Sequence, residues 1–173
     1  KETDDRRGQG TYTRVLEAMK RLKERKLLFG ISNCYTSKNV SVIGSEAYFD
    51  QMLEWGAKFA WFFTYIPIGM NYLPELMVSP EQRKWMYWQV HNFRKNKPMF
   101  TIDFWNDGKP VNGCLAGGRR YLHINSNGDV EACAFVHYAD SNIKEKTLLE
   151  AYTAPFFTAY QKNQPFNANH LRP

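Results

Sequence analysis

Phe59-Ala60-Trp61-Phe62-Phe63-Thr64-Tyr65-Ile66 is the stretch that decides the fold class. Its residues are almost all apolar or aromatic and barely alternate, which predicts a strand buried on both faces, as in a parallel sheet covered by helices. Working backward, Gly56 ends a helix predicted over residues 45–55, with Ser45 as N-cap and Phe49, Met52 and Leu53 turned inward. Before it, Leu27-Leu28-Phe29-Gly30-Ile31-Ser32-Asn33-Cys34 begins apolar and turns polar, a second strand. Residues 11–26 carry Tyr12, Val15, Leu16, Met19 and Leu22 at helical spacing. Working forward, Pro67 and Gly69 open a loop. Ser79-Pro80-Glu81-Gln82 then has the pattern of a capping box with proline in the first turn, starting a helix that reaches about Lys95. Helices alternating with strands give an α/β fold with a parallel sheet.

After Pro98 the character changes. Residues 100–105 read as a strand, closed by the turn Asn106-Asp107-Gly108. Residues 121–125 and 130–136 flank Asn127-Gly128-Asp129, which predicts a hairpin. Residues 147–161 are helical, with Leu148, Leu149, Tyr152 and Phe156 on one side and a bend at Pro155; residues 163–173 show no period. The expected organisation is therefore an α/β part over residues 1–98 and a small antiparallel hairpin-plus-helix unit over residues 99–173. The chain begins on a helix with no strand before it, so a piece of a larger sheet is expected.

Composition is that of a globular domain: 43% hydrophobic, 23% charged and 16% aromatic. No apolar run approaches the ~18 residues that a membrane helix needs, and the opening Lys1-Glu2-Thr3-Asp4-Asp5-Arg6-Arg7 is unlike a signal peptide. No membrane partner is expected. The net charge is +6, with much of the basic charge on Arg14, Lys20, Arg21, Lys23, Arg25 and Lys26 along one helix. That reads as a solvated helix face rather than a nucleic-acid surface. Three cysteines, Cys34, Cys114 and Cys133, do not make a secreted disulfide framework, so a cytoplasmic location is expected.

The cysteines carry the chemistry. Thirteen residues separate Cys114 from Gly128, and four separate Gly128 from Cys133. A hairpin turn at Gly128 brings the strand of Cys133 back alongside the strand leading from Cys114. Two thiolates on adjacent backbones can share one metal or cluster, since iron–sulfur chemistry favours soft sulfur ligands. Cys34 reads as a small buried residue. His91, His123, His137 and His170 show no compact metal spacing, and joining His123 and His137 to the two cysteines as a zinc set matches no closed pattern well. Arg119-Arg120 reads as a solvated basic turn.

Cys114-Leu115-Ala116-Gly117-Gly118, followed by Asn127-Gly128-Asp129-Val130-Glu131-Ala132-Cys133, resembles the first half of the SPASM or twitch extension of radical S-adenosylmethionine enzymes. There a cysteine is followed, at a similar interval, by glycine and then by a second cysteine. Asn142-Ile143-Lys144-Glu145-Lys146-Thr147-Leu148 resembles the continuation into a helix, so the likeness covers residues 112–160. It implies that Cys114 and Cys133 ligate an auxiliary 4Fe–4S cluster, although the family's further downstream cysteines do not follow Cys133 before Pro173. Asp4-Asp5-Arg6-Arg7-Gly8, leading into Thr11-Tyr12, looks like the segment after the fourth barrel strand, where the arginine before glycine binds the S-adenosylmethionine carboxylate; this implies Arg7. A charged loop with a helix cap is the plain alternative. The resemblance likewise implies Ser32 and Asn33 at the polar end of one strand, and Ile66 in Tyr65-Ile66-Pro67, where the family's backbone meets adenine.

The implied fold is the C-terminal portion of a partial (β/α)6 TIM-like barrel. The implied function is a radical S-adenosylmethionine oxidoreductase that forms a 5′-deoxyadenosyl radical for hydrogen abstraction. The cluster loop CxxxCxxC is absent from these residues. The chain alone is therefore expected to be inactive, to hold little or no cofactor, to need the missing N-terminal part of its barrel, and to self-associate through the Leu27 or Phe59 strand. The substrate is not identified, a peptide being one expectation. Two other readings stay open: a non-catalytic α/β binding module with a structural zinc or disulfide at Cys114 and Cys133, and a basic nucleic-acid-binding domain.

Overall fold

A computed structural model describes residues 2–68, 70–109, 111–116 and 118–163; Gly69, Gly117 and His170 lie outside them. The chain forms two compact units, Lys1–Asn106 and Asp107–Pro173.

In the first unit, α1 (Glu2–Arg7) and α2 (Thr11–Glu24) are separated by Gly8 and Gly10, both at positive φ. The Asp4 carboxylate accepts a 2.8 Å bond from the Tyr12 N–H and ties the two helices together. The expectation of a strand starting at Leu27 is corrected. Lys26 takes a left-handed φ of 55°, its N–H bonds the Lys23 carbonyl, and the Leu27 N–H bonds the Leu22 carbonyl. That is a Schellman ending of α2, so Leu27 closes a helix instead of opening a strand. Strand β1 is Gly30–Tyr35.

Next come a short α3 (Val40–Ile43) that periodicity does not signal, α4 (Glu46–Trp55) and β2 (Phe59–Thr64). Ser45 caps α4 by accepting from the Tyr48 N–H, and Gly56 ends it at φ 96°. A 3₁₀ turn at Pro74–Leu76 precedes α5 (Pro80–Asn96), whose capping box is complete: Ser79 Oγ accepts from the Gln82 N–H, and Gln82 Oε1 accepts from the Ser79 N–H. Strand β3 is Phe100–Asp103.

The sheet order is β1-β2-β3, all parallel, with Ser32 opposite Trp61 and Trp61 opposite Ile102. Because β3 pairs with β2, the first unit runs past the expected boundary at 98 to Asn106. The change of character at Pro98 marks only the link from α5 to β3.

Ala60 and Phe62 face the helices. Phe62 stacks on Phe49 at 5.4 Å, Phe49 meets Phe93 at 4.3 Å, and Met52, Met86 and Val90 complete the same core. Each such side chain contributes roughly 1.5–3 kcal/mol when fully buried. The other face of β2 is not equally covered: Trp61 is 37% exposed, which corrects the expectation of burial on both faces.

In the second unit, β4 (His123–Ile124) pairs antiparallel with β5 (Val130–Glu131) around Gly128 at φ 93°. The expected hairpin forms with shorter strands. Asn125 Oδ1 accepts from the N–H groups of Asn127 and Asp129, so the turn takes over the backbone bonding early. The single helix expected over residues 147–161 is two: α6 (Leu148–Tyr152), capped by Thr147 and Glu150, and α7 (Pro155–Lys162). Pro155 starts a new helix rather than bending an old one. Val130, Ala151 and Phe157 form this unit's core. Among the described residues no helix is long and apolar enough to cross a membrane.

Candidate functional site

Strand alternation sorts the residues expected at the strand ends. Ser32 and Cys34 project to the open face beside Trp61 and Phe63, whereas Asn33 and Tyr35 project to the helices. Asn33 is only 5% exposed; its Oδ1 accepts from the Tyr48 hydroxyl at 2.7 Å and its Nδ2 lies 3.6 Å from Met52 Sδ. Neighbours on a strand face opposite ways, so this amide faces away from Ser32 and packs α4 against β1. Ser32 is exposed and Cys34 half-buried. Ile66 is half-buried just past β2, where Tyr65 N–H bonds the Tyr35 carbonyl and the Ile66 carbonyl accepts from Ile68 N–H, both at 2.9 Å. Arg7 closes α1 with its side chain exposed.

Sequence reading missed a buried polar network at the same strand ends. The Tyr35 hydroxyl accepts from Thr64 Oγ1 at 2.7 Å and from Asn106 Nδ2 at 3.2 Å. Asn106 also donates to Asp103 Oδ2 at 2.8 Å and accepts from Arg83 Nε at 3.0 Å. Burial, then the charge of Asp103, pushes the Tyr35 hydroxyl up to about 12. The available signal was that Tyr35, Thr64 and Asp103 are polar residues at the C-terminal ends of the three strands. On the open face the rings of Trp61, Phe63 and Phe104 form one cluster, with centroids 5.1–5.9 Å apart.

The second unit carries Cys114 and Cys133. The pairing of β4 with β5 sets Tyr121 across from Cys133, and the Tyr121 hydroxyl lies 3.1 Å from the Cys133 sulfur. The pKa of the Tyr121 hydroxyl is pushed up by burial first, then by the bond to Cys133, and then by the charges of Cys133 and Cys114. Neither is in a disulfide. Arg119, expected in a solvated turn, instead donates to the carbonyls of Asn112 at 2.9 Å, Cys114 at 2.8 Å and Val111 at 3.2 Å, which fixes the Cys114 loop.

Buried Glu131 accepts from Asn125 Nδ2, with His123 Nε2 and His137 Nδ1 each 3.8 Å from one of its oxygens. Among the described residues no group of three or more His, Cys, Asp or Glu side chains converges to hold a metal ion. The zinc set of Cys114, Cys133, His123 and His137 is thus not assembled. The two thiols suit iron by softness and supply half of the thiolates that a four-cysteine cluster takes.

No family model matches the chain, and no curated protein matches it. Among solved structures, one described as histidine-tagged anSMEcpe with bound AdoMet superposes with a TM-score of 0.63 at 16% sequence identity. The match covers 88% of this chain and 44% of that one. The likeness is one of fold. This chain therefore spans less than half the length of the protein it resembles.

Proposed function

We propose that this chain is the C-terminal part of a radical S-adenosylmethionine enzyme. In this reading β1–β3 are wall strands of a partial (β/α)6 barrel, and the second unit begins a SPASM or twitch extension. The supporting observation is the fold likeness over 88% of the chain to anSMEcpe, a protein that holds AdoMet. When bound, the enzyme's catalytic cluster supplies the electron that cleaves S-adenosylmethionine to a 5′-deoxyadenosyl radical.

The chain's own residues then bind and orient. Arg7 pairs with the carboxylate of S-adenosylmethionine, Ser32 offers a hydroxyl on the open face, and the backbone at Ile66 meets the adenine. Asn33 works from behind the sheet, holding Tyr48 and so the position of β1. Cys114 and Cys133 are two ligands of an auxiliary 4Fe–4S cluster; Arg119 fixes the loop of the first, and the Tyr121 hydroxyl lies against the sulfur of the second. The unpaired edge of β1 receives the preceding barrel strand, and in its absence a second copy of the chain. A peptide is the substrate class this reading favours.

Saturation-transfer NMR between the whole polypeptide that contains this chain and S-adenosylmethionine tests the binding step. Transfer to the adenine protons is expected, falling about tenfold in Arg7→Ala as one charge-assisted pair is lost. No transfer, or transfer unchanged in Arg7→Ala, overturns the assignment.

A further inference from the structure

Helix α5 buries Met86, Val90 and Phe93 in the core it shares with the sheet. On its opposite side, helical spacing lines up Lys84, Trp88, His91 and Lys95 in one stripe. From Lys84 to Lys95 the helix rises about 16 Å. Trp88 is 55% exposed. Its ring stands across those of Tyr87 and His91, at centroid distances of 5.1 and 5.8 Å, and those two rings are nearly parallel at 5.9 Å. The three planar rings form a corner on the helix surface. The charge around it has one sign: α5 carries Arg83, Lys84, Arg94 and Lys95 against a single acid, Glu81, in its first turn. Both arginines turn back to the strand ends, Arg83 Nε donating to Asn106 Oδ1 and Arg94 Nε to Thr101 Oγ1, each at 3.0 Å. Lys84 and Lys95 are exposed and, among the described residues, have no ion-pair partner.

Charge decides what fits this stripe. A second copy laid on it would set lysine against lysine. Further strands of a sheet pair at its edges and do not reach the far side of a helix that covers it. The complement is an anion that also carries flat rings. A peptide offers both only where acidic and aromatic residues are spaced to match, whereas a nucleic-acid strand has a charge and a flat base at every step. In a duplex the bases already stack on one another, so the strand must be unpaired, the ordinary state of RNA loops and ends. We infer that the outer side of α5 binds single-stranded RNA, with a base stacked on Trp88 in the corner formed by Tyr87 and His91, and phosphates paired with Lys84 and Lys95. The site rests on α5 alone and not on the reading above.

Fluorescence anisotropy of a labelled oligouridine, titrated with the whole polypeptide that contains this chain, tests the site. Binding should weaken about tenfold in Trp88→Ala, as loss of one stacked base does, and be largely kept in Trp88→Phe. Lys84→Ala combined with Lys95→Ala should reduce the slope of log affinity against log salt by about 1.4, as two phosphate contacts to a single strand are lost. The same loss of charge on α2, Lys20→Ala combined with Arg21→Ala, should leave the effect of Trp88→Ala at about tenfold. All these positions are exposed, and thermal unfolding checks that each variant is folded. No binding of the oligouridine, or binding unchanged by Trp88→Ala in a folded protein, overturns the proposal. So does polyphosphate binding as tightly as the oligouridine, which would mean that the surface reads charge alone. Tighter binding of a heptapeptide alternating Glu and Phe, or a dimer in sedimentation that Trp88→Ala dissolves, also overturns it.

Discussion

The Tyr121 hydroxyl sits 3.1 Å from the Cys133 sulfur, and burial first, then Cys133 and Cys114, push its pKa upward. A phenol held protonated in this way remains a donor, and a thiolate is its natural acceptor. The contact arises because His123 pairs with Glu131, which sets residues 121 and 133 across from each other two residues further along the hairpin. Cadmium, a soft divalent ion, tests the pair. It should bind with a sulfur-to-metal absorption lost in Cys114→Ser and in Cys133→Ser alike, and Tyr121→Phe should weaken it roughly 10–100-fold, as loss of a partner of a ligand does. Absorption that survives either cysteine change would mean that the two thiols do not share one ion.

Tyr35 makes alkaline stability measurable. Its hydroxyl is raised from 10.0 to about 12 in the folded chain. Between those values the unfolded chain has released the proton and the folded chain has not, so stability falls as pH rises through that window, by roughly 2–3 kcal/mol. Below pH 10 this contribution is fully present. Tyr48, raised likewise to about 12 chiefly by burial, adds to the same slope. Urea unfolding from pH 8 to 12 should show a shallower decline in Tyr35→Phe. That variant should also start lower at pH 8, since Thr64 and Asn106 lose their partner.

Gly30 is glycine because the Phe59 ring occupies the space where a Cβ would stand. Gly30→Ala should cost about 1–3 kcal/mol through overpacking, and Phe59→Ala in the same chain should remove most of that additional cost. Thermal unfolding of the two single variants and the double variant measures the coupling; purely additive effects would contradict the contact.

Ser32 and Asn33 should separate cleanly. Asn33→Ala leaves the Tyr48 hydroxyl without its acceptor and should lose about 1–3 kcal/mol. Ser32→Ala, at an exposed position, should change stability by less than about 0.5 kcal/mol. Equal losses at both sites would mean that the strand faces are assigned the wrong way round.

Much of the first unit is legible in the sequence because its punctuation is local. Ser45 and Gly56 bound α4, Ser79, Pro80 and Gln82 start α5, and each device is where its residue type predicts. The helix ending at Lys26 and Leu27 was illegible because a Schellman ending needs left-handed backbone, here supplied by Lys26 rather than glycine. The role of Asn33 was hidden by register: a polar residue at a strand end looks alike from either face, and only the pairing with β2 says which way it points. The network of Tyr35, Thr64, Arg83, Asp103 and Asn106 joins residues up to 71 positions apart, which no local pattern encodes. The Cys114–Cys133 spacing was visible, but the loop clasp from Arg119 was not, because an arginine beside glycines looks solvated until its carbonyl partners are placed.

The central claim, that this chain is part of an enzyme that cleaves S-adenosylmethionine, is tested most directly by its product. The whole polypeptide that contains this chain, anaerobically reconstituted with iron and sulfide and reduced with dithionite, should convert S-adenosylmethionine to 5′-deoxyadenosine detectable by liquid chromatography and mass spectrometry. Residues 1–173 alone, treated identically, should give none above a protein-free control, since no CxxxCxxC loop is among them. No 5′-deoxyadenosine from the whole polypeptide, or its formation by residues 1–173 alone, would contradict the account.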